Sequence, residues 1–131
     1  MEVVVRIAVF GSGGVGGYFG ARLVNAGHDV TFIARGMHLE AIRRDGLRVS
    51  SIKGDCVVRS AHVTDDPAMV GTVDVVPLQN GVEAADQFAA VLGRESVVGG
   101  LCKIMTAIRA PGHIERAGSS RPWYVASYTE R

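Results

Sequence analysis

The chain has 131 residues, of which 47% are hydrophobic and 21% are charged, so it can build one soluble hydrophobic core. Its 14 basic and 13 acidic residues give a formal net charge of +1, which argues against nucleic acid or an anionic membrane as a partner. The N-terminal apolar run is short and is interrupted by Arg6. It predicts neither a transmembrane helix nor a signal peptide, and we expect a cytoplasmic protein.

A glycine motif follows the first predicted strand. Residues Val3–Phe10 are mostly β-branched, which is typical of a strand buried on both faces of a parallel sheet. Gly11, Gly13 and Gly16 follow with the spacing G-x-G-x-x-G. Apolar residues at helical spacing then predict a helix, and Val30–Ala34 predicts a second strand. This order predicts a βαβ unit.

The βαβ context is the one in which this motif binds a dinucleotide. We expect Gly11 to allow a sharp turn, Gly13 to leave room for a pyrophosphate, and Gly16 to let the helix pack closely on the sheet. The helix N-terminus would face the phosphates with free N–H groups and a partial positive charge. The alternative is a glycine-rich turn that holds no ligand.

Arg35 follows the second predicted strand, at the position that selects between the two nicotinamide dinucleotides. NAD-binding proteins usually carry Asp or Glu there for the ribose 2′-hydroxyl, whereas an Arg accommodates the 2′-phosphate of NADP. A bond from a guanidinium to a phosphate contributes about 1.5–3 kcal/mol, which is a preference of about ten- to a hundred-fold. The alternative is an ordinary solvated surface arginine.

The rest of the chain predicts shorter elements. A short helix stops at Gly46, and two apolar segments joined by Gly54-Asp55 predict a β-hairpin. Asp66-Pro67 predicts the cap and first turn of another short helix. The later elements are a strand at Val73–Val76, a helix from Val82 to Gly93, and strands at Val97-Val98 and Ile104–Ile108.

Cysteine and histidine spacing does not favour a metal site. Cys56 and Cys102 lie far apart in the chain. The four histidines are equally scattered: His28, His38, His62 and His113. We therefore expect no metal ligands, two reduced structural cysteines, and histidines with surface or packing roles.

Five segments carry a family resemblance. In chain order they are Gly11–Gly20, Phe32–Gly36, Thr64–Pro67, Pro77–Val82 and Gly99–Lys103. With them the chain resembles the ketopantoate reductases from about residue 7 to residue 118. These are 2-dehydropantoate 2-reductases that use NADPH to make pantoate for coenzyme A synthesis. The resemblance implies a Rossmann-like α/β fold with a mostly parallel sheet and helices on both faces, NADP as cofactor, and ketopantoate, a 2-keto acid, as substrate.

The resemblance also implies roles for individual residues. The cofactor-binding set is Gly11, Ser12, Gly13, Gly14, Val15, Gly16, Arg35 and Asn80. Asn80 would lie beside the nicotinamide and the substrate, which makes it the one catalytic residue carried over. From the residues alone, Asn80 also fits a helix N-cap, with Glu83 completing a capping box, and the two roles are compatible.

Two departures from the family pattern bear on activity. Val76 joins Pro77 directly, so one strand-helix unit and its cofactor-proximal lysine are predicted to be missing. Ser119–Arg131 matches no recognised segment of the family, and the family's helical C-terminal domain, which supplies the general-acid lysine and most substrate contacts, is predicted to be missing. We therefore expect a dinucleotide-binding domain at residues 1–118, an unassigned tail at 119–131, and a truncated form of the enzyme.

Three hypotheses stay open. The chain is an NADP-dependent ketopantoate reductase or a fragment of one, a non-catalytic NADP(H)-binding module, or an unrelated Rossmann protein such as a methyltransferase. The third would carry an acidic residue in place of Arg35. Lys103 lies in a predicted strand, where a solvated or cofactor-facing role is favoured over general acid. Whether a homodimer or a complementing chain supplies the missing domain also stays open.

Overall fold

A computed structural model of the chain describes residues 3–71, 77–78, 83–118 and 123–127. The chain divides into two compact units. The first comprises Met1–Gly71 and Met105–Ser119, and the second comprises Thr72–Ile104 and Ser120–Arg131. No helix in the described part is long and apolar enough to span a membrane.

The first unit contains a parallel sheet of three strands in the order β1-β2-β5. Strand β1 (Arg6–Phe10) pairs along its whole length with β2 (Asp29–Ile33), and β2 pairs next with β5 (His62–Thr64). Helix α1 (Gly14–Asn25) connects β1 to β2, which confirms the predicted βαβ unit. The sequence did not predict β5, because this short strand has no adjacent hairpin turn to mark it and pairs with β2, which lies about thirty residues earlier in the chain.

The first strand starts later and is less buried than the sequence predicts. It begins at Arg6 because its partner strand begins at Asp29, the residue opposite Arg6. Val3–Val5 are exposed, and Phe10 at the other end of the strand is 73% exposed. The prediction of burial on both faces is therefore wrong for this run.

A second sheet in the same unit has the order β4-β3-β8-β7. Strands β3 (Leu47–Ser51) and β4 (Cys56–Val58) form the predicted antiparallel hairpin. Strand β3 also pairs in parallel with β8 (His113–Ala117), which forms a second hairpin with β7 (Met105–Ala110). The prediction of a strand over Ile104–Ile108 is confirmed as β7, whereas β8 was not predicted.

The core of the first unit surrounds α1, which packs against strands of both sheets. A Cβ at Gly20 of this helix would overlap the ring of Phe32, so the helix lies directly on β2. Helix α2 (Gly36–Asp45) is the predicted short helix, and Gly46 is its C-cap residue as predicted. The largest fully buried side chains are Phe32, Ile42, Leu47, Ile114 and Val49.

The predicted cap at Asp66 is confirmed. Its carboxylate accepts a hydrogen bond from the backbone N–H of Ala68 at 3.0 Å, and a 3-10 helix follows over Pro67–Val70. This short helix comes directly after the sheet strand β5, so the segment from β5 to Pro67 is held close to the end of the parallel sheet.

The second unit contains helix α3 (Ala84–Leu92), a 3-10 helix at Arg94–Ser96, and a two-stranded antiparallel sheet. The sheet pairs β6 (Gly99–Lys103) with β9 (Trp123–Ser127). Helix α3 ends before Gly93 as predicted, but it begins at Ala84 with Glu83 as its N-cap residue and no side-chain cap, so the predicted start at Val82 and the capping box are wrong. The strand predicted at Val97-Val98 lies two residues later as β6. The strand predicted at Val73–Val76 lies outside the described residues.

Candidate functional site

A cleft of about 470 Å³ opens where the strands of the parallel sheet end. Strands β1, β2 and β5 run in the same direction, so their carboxyl ends meet at one edge. Ligands of open α/β sheets bind at this edge. The lining residues are Phe10, Gly11, Ser12, Gly13, Ile33, Ala34, Arg35, His38, Asp65 and Pro67.

The glycine loop between β1 and α1 forms one wall of this cleft. Gly11 turns the chain with a φ of +92°, and its N–H donates to the carbonyl of Ile33 at 3.2 Å. A Cβ at Gly16 would overlap the carbonyl oxygen of Gly11 and lie 2.9 Å from Cγ1 of Val9. The turn and the close approach of helix to strand thus each depend on a glycine.

Gly13 differs from these two glycines, because the fold itself leaves space there. It is the N-cap residue of α1, and the atom nearest to a Cβ built on it is Cδ1 of Ile108 at 3.8 Å, an ordinary contact distance. No side chain caps this helix, and its first turn has no acidic residue. An uncapped helix N-terminus carries free N–H groups and partial positive charge, so it suits an anionic ligand.

The side chain of Ser12 faces the protein rather than the cleft. It is 2% exposed, and its hydroxyl donates to the carbonyl oxygen of Ile33 at 3.1 Å. The next residue but one, Gly14, lies against β7, because a Cβ there would be 2.6 Å from Oγ1 of Thr106. Ser12, Gly14 and the partly buried Val15 can therefore meet a ligand through backbone groups.

Arg35 lies at the rim of the cleft, directly after β2. It is the N-cap residue of α2, its backbone is extended, and its side chain is exposed. Within the described residues its guanidinium has no hydrogen-bond or ion-pair partner. The first turn of α2 has no acidic residue either, so a cation and a second helix N-terminus lie at the same end of the cleft.

His38 is a cleft residue to which the sequence assigns only a surface or packing role. Its Nε2 lies 2.6 Å from the carbonyl oxygen of Ser12, and its Nδ1 accepts a hydrogen bond from the N–H of Gly112 at 2.9 Å. A carbonyl oxygen only accepts, so Nε2 donates and the ring is the neutral Nε2–H tautomer. The signal in the sequence is its spacing, three residues after Arg35, which places both at the start of α2.

The other candidate residues lie elsewhere or cannot be placed. Asn80 is outside the described residues, and Lys103 is exposed on β6 in the second unit. Cys56 and Cys102 are both free thiols, and burial raises the pKa of each. His113 on β8 lies 2.7 Å from the hydroxyl of Ser50; burial, followed by the charge of Arg48, lowers its pKa.

The chain is similar to proteins of one family along most of its length. The family model described as "Ketopantoate reductase PanE/ApbA" matches residues 7–76 and 68–129. The second match includes most of the segment 119–131 that the sequence resemblance leaves unassigned.

Curated relatives point to the same family. The chain is 31% identical to the "Uncharacterized oxidoreductase YkpB" of Bacillus subtilis, over 88% of this chain and 46% of the relative. It is 37% identical to the 2-dehydropantoate 2-reductase of Mesorhizobium japonicum, over 72% of this chain and 30% of the relative. The chain thus spans half the length or less of these curated relatives.

Solved structures give the same picture. The 2-dehydropantoate 2-reductase of Porphyromonas gingivalis superposes with a TM-score of 0.81 at 35% identity, covering 93% of this chain and 54% of that one. The corresponding enzyme of Geobacter metallireducens gives a TM-score of 0.84 at 27% identity, covering 93% and 49%. The Rossmann-like α/β fold expected from the sequence is confirmed.

These matches also bear on the junction of Val76 and Pro77. The family model matches in two segments that overlap at residues 68–76, beside this junction. The match to YkpB extends over 141 aligned positions, although this chain has 131 residues. The relative therefore carries residues that this chain lacks, as a missing strand-helix unit requires.

Proposed function

The chain belongs to the ketopantoate reductase PanE/ApbA family of oxidoreductases, and on that premise we propose that its glycine cleft binds NADP(H). The family supports a nicotinamide cofactor, and the choice of NADP over NAD is our inference from Arg35. The proposed binding residues are Gly11, Ser12, Gly13, Gly14, Val15, Gly16 and Arg35. Asn80, outside the described residues, is proposed to face the nicotinamide and the substrate.

The observation that carries this proposal is the uncapped N-terminus of α1 at the wall of the cleft. The space beside Gly13 remains open, although a Cβ would fit there without a clash in the protein. That space is what a pyrophosphate needs in order to approach backbone N–H groups. The residues present therefore fit the phosphate portion of a dinucleotide.

The adenosine end of the cofactor would lie towards Arg35. Its guanidinium is exposed and unpaired within the described residues, so a bond to a 2′-phosphate would break no ion pair described there. A charge-assisted bond of this type contributes about 1.5–3 kcal/mol. Since NADH lacks the 2′-phosphate, this bond is the expected source of a preference for NADPH.

The reaction we propose for the whole protein is reduction of ketopantoate to pantoate, in which NADPH supplies a hydride. Ketone reduction also needs a group that protonates the alkoxide, and walls that hold the substrate and exclude water. Among the described residues, the cleft accounts for the cofactor site alone. The chain spans about half the length of the curated relatives that it matches. The second candidate function is therefore a non-catalytic NADP(H)-binding module.

A competition between the two cofactors tests the proposal. The purified chain is titrated with NADPH and with NADH by nicotinamide fluorescence, and we expect NADPH to bind at least about ten times more tightly. Arg35→Ala should abolish the difference by weakening NADPH alone. Arg43→Ala is the matched control, since it removes an exposed positive charge from the last turn of the same helix. Equal affinities in the unmodified chain would show that Arg35 does not read a 2′-phosphate.

A further inference from the structure

We propose that His38 is a positioning residue that sets the direction of a phosphate-binding N–H group in the glycine loop. The proposal rests on the proposed function of this cleft. His38 itself need not touch the cofactor, because it acts through the backbone of Ser12. Neither the glycine motif nor the position of Arg35 assigns this role.

The first step is the bond between His38 and the loop. Nε2 of His38 donates to the carbonyl oxygen of Ser12 at 2.6 Å. The peptide bond between Ser12 and Gly13 is planar and trans, because none of the described residues has a cis peptide bond. The carbonyl oxygen of Ser12 and the N–H of Gly13 therefore point in opposite directions. Fixing the carbonyl fixes the N–H of Gly13.

In this proposal the N–H of Gly13 is one of the donors that the ligand approaches, because Gly13 lines the cleft. Gly13 is the N-cap of α1, so its N–H belongs to the group of backbone donors at the helix start. Ser12 is also held by its own side chain, because its hydroxyl donates a hydrogen bond to the carbonyl oxygen of Ile33. With both bonds present, the peptide plane between Ser12 and Gly13 has little freedom to rotate.

The second step is the anchor that holds the imidazole. Nδ1 of His38 accepts from the N–H of Gly112, in the turn between β7 and β8. The carbonyl oxygen of Gly112 in turn accepts from the N–H of Arg48 at 2.8 Å, at the start of β3. The turn is thus fixed to the second sheet, and His38 links that sheet to the glycine loop.

The chemistry of the two bonds selects the side chain. The position needs one donor towards Ser12 and one acceptor towards Gly112, which neutral histidine provides. A glutamine amide also offers one of each at the end of its side chain. An asparagine reaches only as far as Nδ1, so its oxygen can accept from Gly112 while Ser12 loses its partner. His38→Asn therefore removes the proposed positioning bond and keeps the anchor.

The test compares His38→Asn with His38→Gln, using two measurements. In the nucleotide-free protein, the amide resonance of Gly13 should shift in His38→Asn and stay near its original position in His38→Gln. The dissociation constant for NADPH should rise about tenfold in His38→Asn, the loss of about one hydrogen bond, and change less than about threefold in His38→Gln. Thermal unfolding of each variant shows whether it remains folded.

His28→Ala is the matched control. Nδ1 of His28 accepts from the backbone N–H of Val5 at 3.3 Å, near the N-terminal ends of the same strands and away from the cleft. Losing that bond should leave both the Gly13 resonance and the affinity for NADPH unchanged. His38→Ala, which removes both bonds, should weaken NADPH binding at least as much as His38→Asn does.

The outcomes separate this inference from the proposed function. If the unmodified chain does not bind NADPH, the proposed function is wrong, and the Gly13 resonance alone decides the role of His38. If the chain binds NADPH but a folded His38→Asn protein keeps both the affinity and the Gly13 resonance, His38 does not position the loop. If His38→Gln loses affinity as fully as His38→Asn, the two hydrogen bonds are not what the position requires, and the inference is again wrong.

Discussion

The same small change at two glycines of the loop should have opposite consequences. We compare Gly13→Ala with Gly16→Ala, each of which adds one methyl group. At Gly13 the nearest protein atom would be 3.8 Å away, an ordinary contact. At Gly16 the methyl group would overlap the carbonyl oxygen of Gly11 and lie 2.9 Å from the side chain of Val9. The first change meets the proposed ligand, and the second meets the protein.

The expected magnitudes follow from those contacts. For Gly13→Ala, alanine is a poorer N-cap residue than glycine, and the exchange should cost about 0.5–1 kcal/mol. For Gly16→Ala, overpacking costs about 1–3 kcal/mol, and more when a backbone atom is in the way. The better helix propensity of alanine returns about 1 kcal/mol at most. The Gly16→Ala protein should therefore unfold at a temperature several degrees lower than the Gly13→Ala protein.

Nucleotide binding should rank the two variants in the reverse order, with the larger loss of affinity in Gly13→Ala. A methyl group at Gly13 occupies the volume that the pyrophosphate needs, and losing one hydrogen bond to a charged phosphate costs about 1.5–3 kcal/mol. The dissociation constant for NADPH should rise about ten- to a hundred-fold, and Gly13→Val should abolish measurable binding. Calorimetric titration and thermal unfolding on the same samples give both numbers. Unchanged binding to a folded Gly13→Val protein would refute the placement of the phosphates.

Three further predictions concern the rest of the chain. NMR titration should give His113 a pKa below the value of about 6.5 for an unperturbed histidine, because of burial and then of Arg48. Since the pKa of His113 is lower in the folded state than in the unfolded state, its contribution to stability is present at neutral pH and is lost as the pH falls from the unfolded pKa through the folded one. If the pKa of His113 is unchanged in Arg48→Ala, Arg48 is not a cause of the shift. Phe32→Ala should destabilise the fold by about 3–5 kcal/mol in chemical unfolding, because the ring is fully buried against α1; a loss below about 1 kcal/mol would contradict it. The purified chain with NADPH and ketopantoate should show negligible turnover, as loss of a general acid alone costs about a hundred- to ten-thousand-fold; robust reduction that Asn80→Ala abolishes would contradict this.

Much of the fold is predictable because it is local. The βαβ unit, the end of α2 at Gly46 and the hairpin around Gly54 each depend on residues within about one element of each other. The cap at Asp66 is local in the same way. In each case the pattern and the structure it specifies lie in the same short segment.

The parts that escaped prediction depend on distant residues. Strand β8 pairs in parallel with β3, and the paired residues Arg48 and His113 are 65 positions apart in the chain. The sequence pattern of neither strand indicates which strand it pairs with. His38 acquires its role from Gly112, which is 74 residues further along the chain. The Val76–Pro77 junction gives no signal in the secondary-structure pattern, because the sequence there still predicts a strand followed by a turn and a helix, and only the family resemblance marks it.

The central claim is that NADP(H) binds at the glycine cleft, and amide chemical-shift mapping tests it most directly. A ¹⁵N-labelled sample of the chain is titrated with NADP⁺, and the shifts are followed residue by residue. The account predicts that the largest shifts fall on Gly11–Gly16 and on Arg35, with a smaller effect at His38 and little change on α3. Shifts that cluster away from the cleft, or no shifts at a millimolar excess of nucleotide, would contradict it.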